Sequence, residues 1–389
     1  MLAWDNCGRG SLRALLPFLF MRLVAAFYTF FWLSSAAWAA APVGALQSAS
    51  TSHGSAVHQE VKSRLQRAQS YISEDQAPEA ESLLQKILKS NPRSPEANDL
   101  LGSLQLQHRQ FAEAEEHFES ALTVNRHDET ARRGERDAAV GLALQLRKAG
   151  DASAALLSLE HAKTFLPDDP ILLTDLGIEA DSLHDYDRAA EALDAVLKER
   201  PGDPTALYAS ARTELDRDNP KKAETLFHAY LAQRPDDASA HYGLGRLFQR
   251  QQRTDEASAE FHRALEIQPV QTESYYQLGQ MALDAHRDPE ARAMFEKTLS
   301  RLPTHGGART GIGILDYRAK DYKLARGSLE QAIANSPDYE TAHYYLGLTL
   351  ARLGDKEASA RELQVAAQLA AKQQGKGTPI GVVSPDVQR

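Results

Sequence analysis

The residues best suited to chemistry in this chain are thirteen histidines, several acidic pairs, two glycine-rich stretches and one cysteine. A zincin-type helix needs two histidines four apart with a glutamate beside the first, and no His-Glu-x-x-His occurs. Glu113 and His117 are four apart, so they share a helix face, and they read as neighbours on a solvated surface. His305-Gly306-Gly307 and Gly311-Ile312-Gly313 resemble phosphate-cradling loops only in glycine content. No Lys-Ser/Thr follows either one, so the group that would meet the phosphates is missing. Glu115-Glu116 and Asp236-Asp237 read as solvated charge runs. Asp168-Asp169 and Asp236-Asp237 also follow prolines, which makes them helix caps. Cys7 stands alone and can build no disulfide, cysteine zinc site or iron–sulfur site. No nucleophile, acid–base or metal set can be named, so the expectation is a non-catalytic chain without a cofactor.

The 389 residues are 42% hydrophobic and 25% charged, which suits a chain that buries a core. Aromatic residues make up 7%, and Ala and Leu are abundant, which favours helix. The net charge is −9, so the chain lacks the basic footprint of a nucleic-acid binder.

The first forty residues read as an address. Arg9, Arg13 and Arg22 precede or interrupt an apolar run, Leu23 to Leu33 carries no charge, and Ala37-Trp38-Ala39 fits a small-x-small cleavage pattern. A basic start, a short apolar stretch and such a site are the parts of a secretory signal peptide. Met21 offers an alternative start with a complete signal of its own. The other reading is an uncleaved signal anchor, since Leu15 to Trp38 is long enough to span a bilayer if Arg22 is tolerated. Either way the rest of the chain is expected to be exported, to the periplasm or cell envelope, with an inner-membrane anchor as the alternative. Residues 41–60 are rich in Ser, Thr, Ala and Gly and read as a flexible linker. Residues 374–389, with three glycines and two prolines, read as a flexible tail.

A repeat must position whatever acts in the remainder. Pro167, Pro201, Pro235, Pro269, Pro303 and Pro337 are each 34 residues apart. The same period carries a small-residue column (Gly177, Ala211, Gly245, Gly279, Gly313, Gly347), an alanine column (Ala155, Ala189, Ala223, Ala257, Ala291, Ala325) and a large apolar column (Leu159, Leu193, Phe227, Phe261, Phe295, Leu329). About nine such units fill residues 61–373, with an insertion of seven residues near 129–135. Each unit reads as two helices, a polar turn and a terminating proline. In one of them, Leu244 and Phe248 mark the first apolar stripe, and Ala257, Phe261 and Ala264 the second. A glycine inside a helix costs about 1 kcal/mol relative to alanine. The glycine column therefore implies close helix–helix approach, expected against the alanine of the second helix.

Leu244-Gly245, Ala257, Phe261, Ala264 and Pro269 resemble the signature of the tetratricopeptide repeat. The resemblance covers about four fifths of the chain. It implies an all-α, right-handed α-solenoid of stacked helix–turn–helix units, with the first helices lining the concave side. Arg126 in place of proline, Ala143 in place of glycine, and Ser359 and Ala371 in the last unit depart from the pattern.

Members of the family are mostly scaffolds for peptides or proteins, and the resemblance places the partner on first-helix positions two, five, nine and twelve. Position five gives Tyr208, Tyr242, Tyr276, Thr310 and Tyr344; position nine gives Arg212, Arg246, Gln280, Ile314 and Leu348. Tyr208 with Arg212, and Tyr242 with Arg246, share a helical face. Tyrosine offers rigid contact area and arginine pairs with carboxylates. The same tyrosines could instead pack only against the next repeat. The Lys/Asn carboxylate clamp of some family members is absent. The expected function is a protein-interaction scaffold. A glycan-binding protein, or an accessory subunit of a separate enzyme, is the alternative.

Overall fold

The computed structural model describes the backbone of residues 44–374 and the side chains of residues 59–372. The proposed signal segment, residues 1–40, and the tail after Gln374 lie outside the described residues. Two compact units divide between Ser63 and Arg64; the described part of the first is the start of α1.

The described residues form eighteen helices and no strand. The helices run as α1 (Gly44–Ser73), α2 (Ala77–Ser90), α3 (Pro95–Gln107), α4 (Phe111–Val124), α5 (Glu129–Lys148), α6 (Ala152–Lys163), α7 (Pro170–Ser182), α8 (Tyr186–Glu199) and α9 (Pro204–Asp216). They continue as α10 (Pro220–Gln233), α11 (Ala238–Arg250), α12 (Thr254–Ile267), α13 (Thr272–Asp284), α14 (Asp288–Arg301), α15 (Gly306–Arg318), α16 (Tyr322–Asn335), α17 (Glu340–Leu353) and α18 (Lys356–Gln374). Odd-numbered helices are the first of each pair and even-numbered helices the second, as in an all-α solenoid.

The linker expected over residues 41–60 is corrected from residue 44 onward, because α1 begins at Gly44. No proline falls between Pro42 and Pro78, and once the later turns of α1 exist, each added residue extends a helix cheaply.

Local chemistry sets the helix limits. Asp203 accepts a hydrogen bond from Ala206 N, and Pro204 takes the first helical position, where its missing N–H costs nothing. Asp169 accepts from Ile171 N and Leu172 N, and Asp237 from Ser239 N and Ala240 N. The second aspartate of each pair is thus the cap. The turn inside every pair holds one residue with positive φ: Asp75, Arg109, Gly150, His184, Asp218, Gln252, His286, Lys320 and Gly354. The residue after it donates to a carbonyl five positions back, as Asp321 N does to Asp316 O. That left-handed close satisfies the last carbonyls of the first helix.

Core positions keep the period. Every member of the alanine column is fully buried, and Phe118, Phe227, Phe261 and Phe295 are at most 1% exposed. The nearest neighbours of the glycines are the large apolar column rather than alanine side chains, which corrects the expected packing partner; Gly177 alone also comes within 3.3 Å of an alanine, through Ala189 O. A Cβ on Gly245 would meet Phe261, on Gly279 Phe295 and on Gly313 Leu329, at 2.8, 2.7 and 2.6 Å. Each facing residue lies sixteen positions on, rather than twelve, because the antiparallel helices are offset by one turn. A second glycine set approaches from the following pair: Gly134 meets Phe118, Gly243 meets Phe227 and Gly311 meets Phe295.

The seven extra residues are helical. At 20 residues, α5 is seven longer than α3 or α7, and seven residues are about two turns. The apolar stripe therefore returns to nearly the same face, and α5 keeps contact with both neighbours. Gly134, in its early turns, packs on Phe118 of α4. Its last turns lead into Gly150 and α6. The second helices on either side of α5 are consequently offset by about two turns, roughly 10 Å along its axis.

Candidate functional site

From α3 onward each first helix packs on its own second helix and, for most pairs, on the first helix of the next pair: α3 on α5, α5 on α7, α7 on α9, α9 on α11, α13 on α15 and α15 on α17. The second helices reach one another mainly through side chains, such as Lys222 to Asp194 at 2.8 Å and Arg253 to Glu224 at 2.9 Å. The first helices therefore form the tighter, inner layer. The residues singled out for binding stand on that layer.

Tyr208, Tyr242, Tyr276 and Tyr344 are half-buried. One side of each of the first three rings packs on a phenylalanine of the partner helix. Ring centroids lie 6.4 Å apart for Tyr208 and Phe227, 5.7 Å for Tyr242 and Phe261, and 6.2 Å for Tyr276 and Phe295. Tyr344 meets Tyr345 at 5.5 Å. Burial raises the phenol pKa of Tyr208 and of Tyr242, while the neighbouring charges of Arg212 and Arg246 oppose the shift. The two Tyr–Arg pairs expected from four-residue spacing are therefore brought together. Arg212 is exposed and lies 3.5 Å from Asp181 on the preceding first helix. Arg246 and Gln280 are half-buried.

Thr310 does not join this row. It is 1% exposed, and its hydroxyl donates to Gly306 O within α15. The expectation that it lines the face is corrected, and so is that for Ile314, which is 6% exposed. At that step Tyr276 reaches past α15. Its ring lies 4.6 Å from His305, and its hydroxyl lies 3.3 Å from that of Tyr339. Gly307 makes this possible, since a Cβ there would sit 2.7 Å from the Tyr276 hydroxyl. Burial and the neighbouring Tyr339 hold the Tyr276 phenol well above its usual range. The His305-Gly306-Gly307 stretch is thus a helix start shaped for a tyrosine. His305 Nδ1 accepts from Ala308 N as the cap.

Polar ties went unread in the sequence. His241 Nδ1 lies 2.6 Å from Glu260 and its Nε2 2.9 Å from Pro235 O; His343 repeats this with Glu362 and Pro337 at 2.6 and 2.8 Å. Asn98 and Arg309 occupy the same repeat position and donate to Pro92 O and Pro303 O. These side chains fasten a first helix to the loop before it. The signal was a polar residue recurring in a column that elsewhere holds buried leucines, Leu173 and Leu207.

Buried acids are the second feature missed. Glu115 is 8% exposed rather than solvated, and His117 is half-buried with Nδ1 2.9 Å from Asn98 Oδ1, so neither belongs to the open surface expected of them. Burial lowers the His117 pKa. Glu214 is fully buried but well partnered, accepting from Lys222 at 2.8 Å, Asn219 at 2.9 Å and Arg217 at 3.1 Å. Burial pushes its pKa up, and these three donors more than reverse the shift. Glu135 is equally buried, yet neither carboxyl oxygen has a partner. Among the described residues, no group of three or more His, Cys, Asp or Glu is placed to hold a metal ion.

The profile of the tetratricopeptide repeat matches residues 65–129, 182–247, 214–282 and 310–374, together more than half of the chain. The chain belongs to the tetratricopeptide repeat family. No functionally curated protein matches it. Among solved structures, the APC/C hetero-tetramer Cut9–Hcn1 is similar at 14% identity and a TM-score of 0.52, covering 77% of this chain and 57% of that one. PilW, described as a widely conserved type IV pilus biogenesis factor, is 20% identical with a TM-score of 0.49, covering 53% of this chain and 96% of that one. YrrB, described as a tetratricopeptide repeat protein with an unusual peptide-binding site, is 22% identical with a TM-score of 0.38, covering 47% and 95%. At these identities the likeness concerns the fold. The tetratricopeptide array explains the 34-residue period, the paired helices and the inner layer on which Tyr208, Arg212, Tyr242 and Arg246 stand.

Proposed function

We propose that this chain is a non-catalytic scaffold of a cell envelope that binds an extended segment of a partner protein along its inner, first-helix layer. One observation carries the reading: Arg212 and Arg246 stand on successive first helices, each beside a half-buried tyrosine packed firmly from behind. A rigid ring next to a guanidinium offers apolar contact area and a carboxylate partner in one place, at little entropic cost on binding. The chemistry suits a segment with acidic side chains between apolar ones. Tyr276, Gln280 and Tyr344 extend the row toward α17. The envelope setting rests on the basic and apolar pattern of residues 9–39. Among the described residues, no helix is long and apolar enough to cross a membrane.

The test is a pull-down from envelope extract with the chain from Ala41 onward, run beside the Arg212→Ala/Arg246→Ala double variant. The expected result is a defined protein retained by the parent chain and lost by the variant, with the melting profile nearly unchanged. Equal retention by both would remove these arginines from the binding surface. Retention of purified glycan strands in place of protein would move the function to cell-wall recognition.

A further inference from the structure

The two-turn extension of α5 places Glu135 at a junction of three helices. Gly134 lies against Phe118 of α4, and Glu135, next to it in the chain, is close enough to α4 to feel the charges of Glu115 and Glu119. Its side chain is fully buried, and neither oxygen accepts a hydrogen bond. A buried carboxylate without donors is strongly disfavoured, whereas a neutral carboxyl in the same place is tolerable. Glu214 shows how this fold treats a glutamate that must stay ionised, with Lys222, Arg217 and Asn219 around it. Nothing of the kind surrounds Glu135.

We propose that the α4–α5–α6 junction is a proton-operated joint, in which a neutral Glu135 carboxyl lets the offset helices pack and its ionisation loosens them.

The groups around it point the same way. From α4 come Glu115, which is 8% exposed, and Glu119. From α6 come Ser158, whose hydroxyl donates to Glu115 at 3.4 Å, and His161, whose Nε2 lies 2.7 Å from Glu119. On α5 itself, Arg136 is turned to Asp137 at 2.8 Å, with the Asp169 cap of α7 at 3.8 Å. On α3, buried Asp99 faces the Asp128 cap of α5 and leaves one oxygen unpartnered. The cation next to Glu135 in the chain, Arg136, is thus held by other acids. Burial, reinforced by the charges of Glu115 and Glu119, pushes Glu135 up to about 9. Burial and then Glu119 push Glu115 up to about 7, against the pull of Ser158 and His161. Asp99 is raised to about 7 by burial and then by Asp128 and Glu96.

The sign follows from proton counting. An opened junction releases these protons at the ordinary carboxyl range, near pH 4 to 5, whereas the closed one keeps them. The closed form therefore binds more protons, is favoured at low pH, and is lost as pH rises. Each retained proton makes opening about tenfold easier per pH unit, up to the raised value of its group. The joint separates α1–α4 from α6–α18, so a change of pH would alter how two parts of one binding layer are held together.

Hydrogen exchange of the full chain at about pH 6 and pH 8, corrected for intrinsic exchange, tests this. Opening of α4, α5 and α6 should rise by at least about tenfold per pH unit in the parent chain. In Glu135→Gln that rise should fall by about tenfold per unit, while α13–α16 respond equally in both chains. An unaltered response in Glu135→Gln would overturn the proposal. Should the variant fail to fold, glutamate carboxyl carbon-13 shifts of the parent chain decide the matter. One glutamate still protonated at neutral pH supports the joint, and every glutamate titrating in the ordinary range refutes it.

Discussion

Replacing Gly245 by alanine separates two accounts of the glycine column by the sign of the effect. On an open helix face the change stabilises by about 1 kcal/mol, because alanine is the better helix former. Here the new Cβ would lie 2.8 Å from two ring carbons of Phe261, whereas carbon atoms prefer about 3.5–4.0 Å. Phe261 is fully buried and has Gln277, not glycine, at the matching position of the next first helix, so it has little room to retreat. Overpacking of this kind costs about 1–3 kcal/mol, which outweighs the propensity gain and leaves a net loss of about 1 kcal/mol. Gly327 in α16 is the internal control: a Cβ there meets nothing within 4 Å, so Gly327→Ala should stabilise by about 1 kcal/mol. Combining Gly245→Ala with Phe261→Leu should cost less than the two single changes together, because the smaller side chain vacates the contested space. The assay is urea unfolding followed by circular dichroism, with hydrogen exchange in α11 and α12 as the local readout, since repeat arrays do not always unfold in one step. Stabilisation by Gly245→Ala equal to that by Gly327→Ala would refute the packing role of this column.

Other expectations follow from single positions. Lys320 holds a left-handed backbone at φ 65°, so Lys320→Gly should raise stability by about 0.5–1 kcal/mol in the same denaturation assay. Asp169→Ala removes two cap hydrogen bonds at the start of α7 and should cost about 1 kcal/mol, read as faster amide exchange in the first turn of that helix. Tyr276→Phe deletes a hydroxyl whose one hydrogen bond among the described residues is to Tyr339, and should leave unfolding within about 1 kcal/mol of the parent.

Much of this architecture is legible in the residues. The prolines mark where each second helix ends, and the stretch from Pro92 to Pro167 exceeds two periods by seven residues, the length by which α5 exceeds α3 and α7. What escapes the sequence has physical reasons. Spacing along one helix places Ala257 and Phe261 on the same face but says nothing of the axial offset of the helix opposite, so spacing alone matches the glycines to the wrong neighbour. The left-handed turn position is defined by backbone geometry, and only Gly150 and Gly354 among its nine residues advertise it. Repeat numbering puts Thr310 on the binding row. Its short side chain instead bonds its own helix, and Tyr276 passes over Gly307. Glu135 and Glu115 have the composition of a solvated face; Glu115 occupies a column that is buried in the next two repeats as well, at Leu156 and Ala190, and Glu135 lies in the extended part of α5.

The central claim is that a partner lies on the first-helix layer. Thr205 on α9 and Thr225 on α10 are both exposed, and they belong to the first and second helix of one repeat. Thr205 is three residues before Tyr208 and seven before Arg212, and therefore shares their face. A photo-reactive amino acid placed at each site in turn, followed by irradiation with the captured partner and mass spectrometry, tests the claim most directly. The account predicts cross-links from position 205 and none from position 225. Cross-links from 225 alone would contradict it.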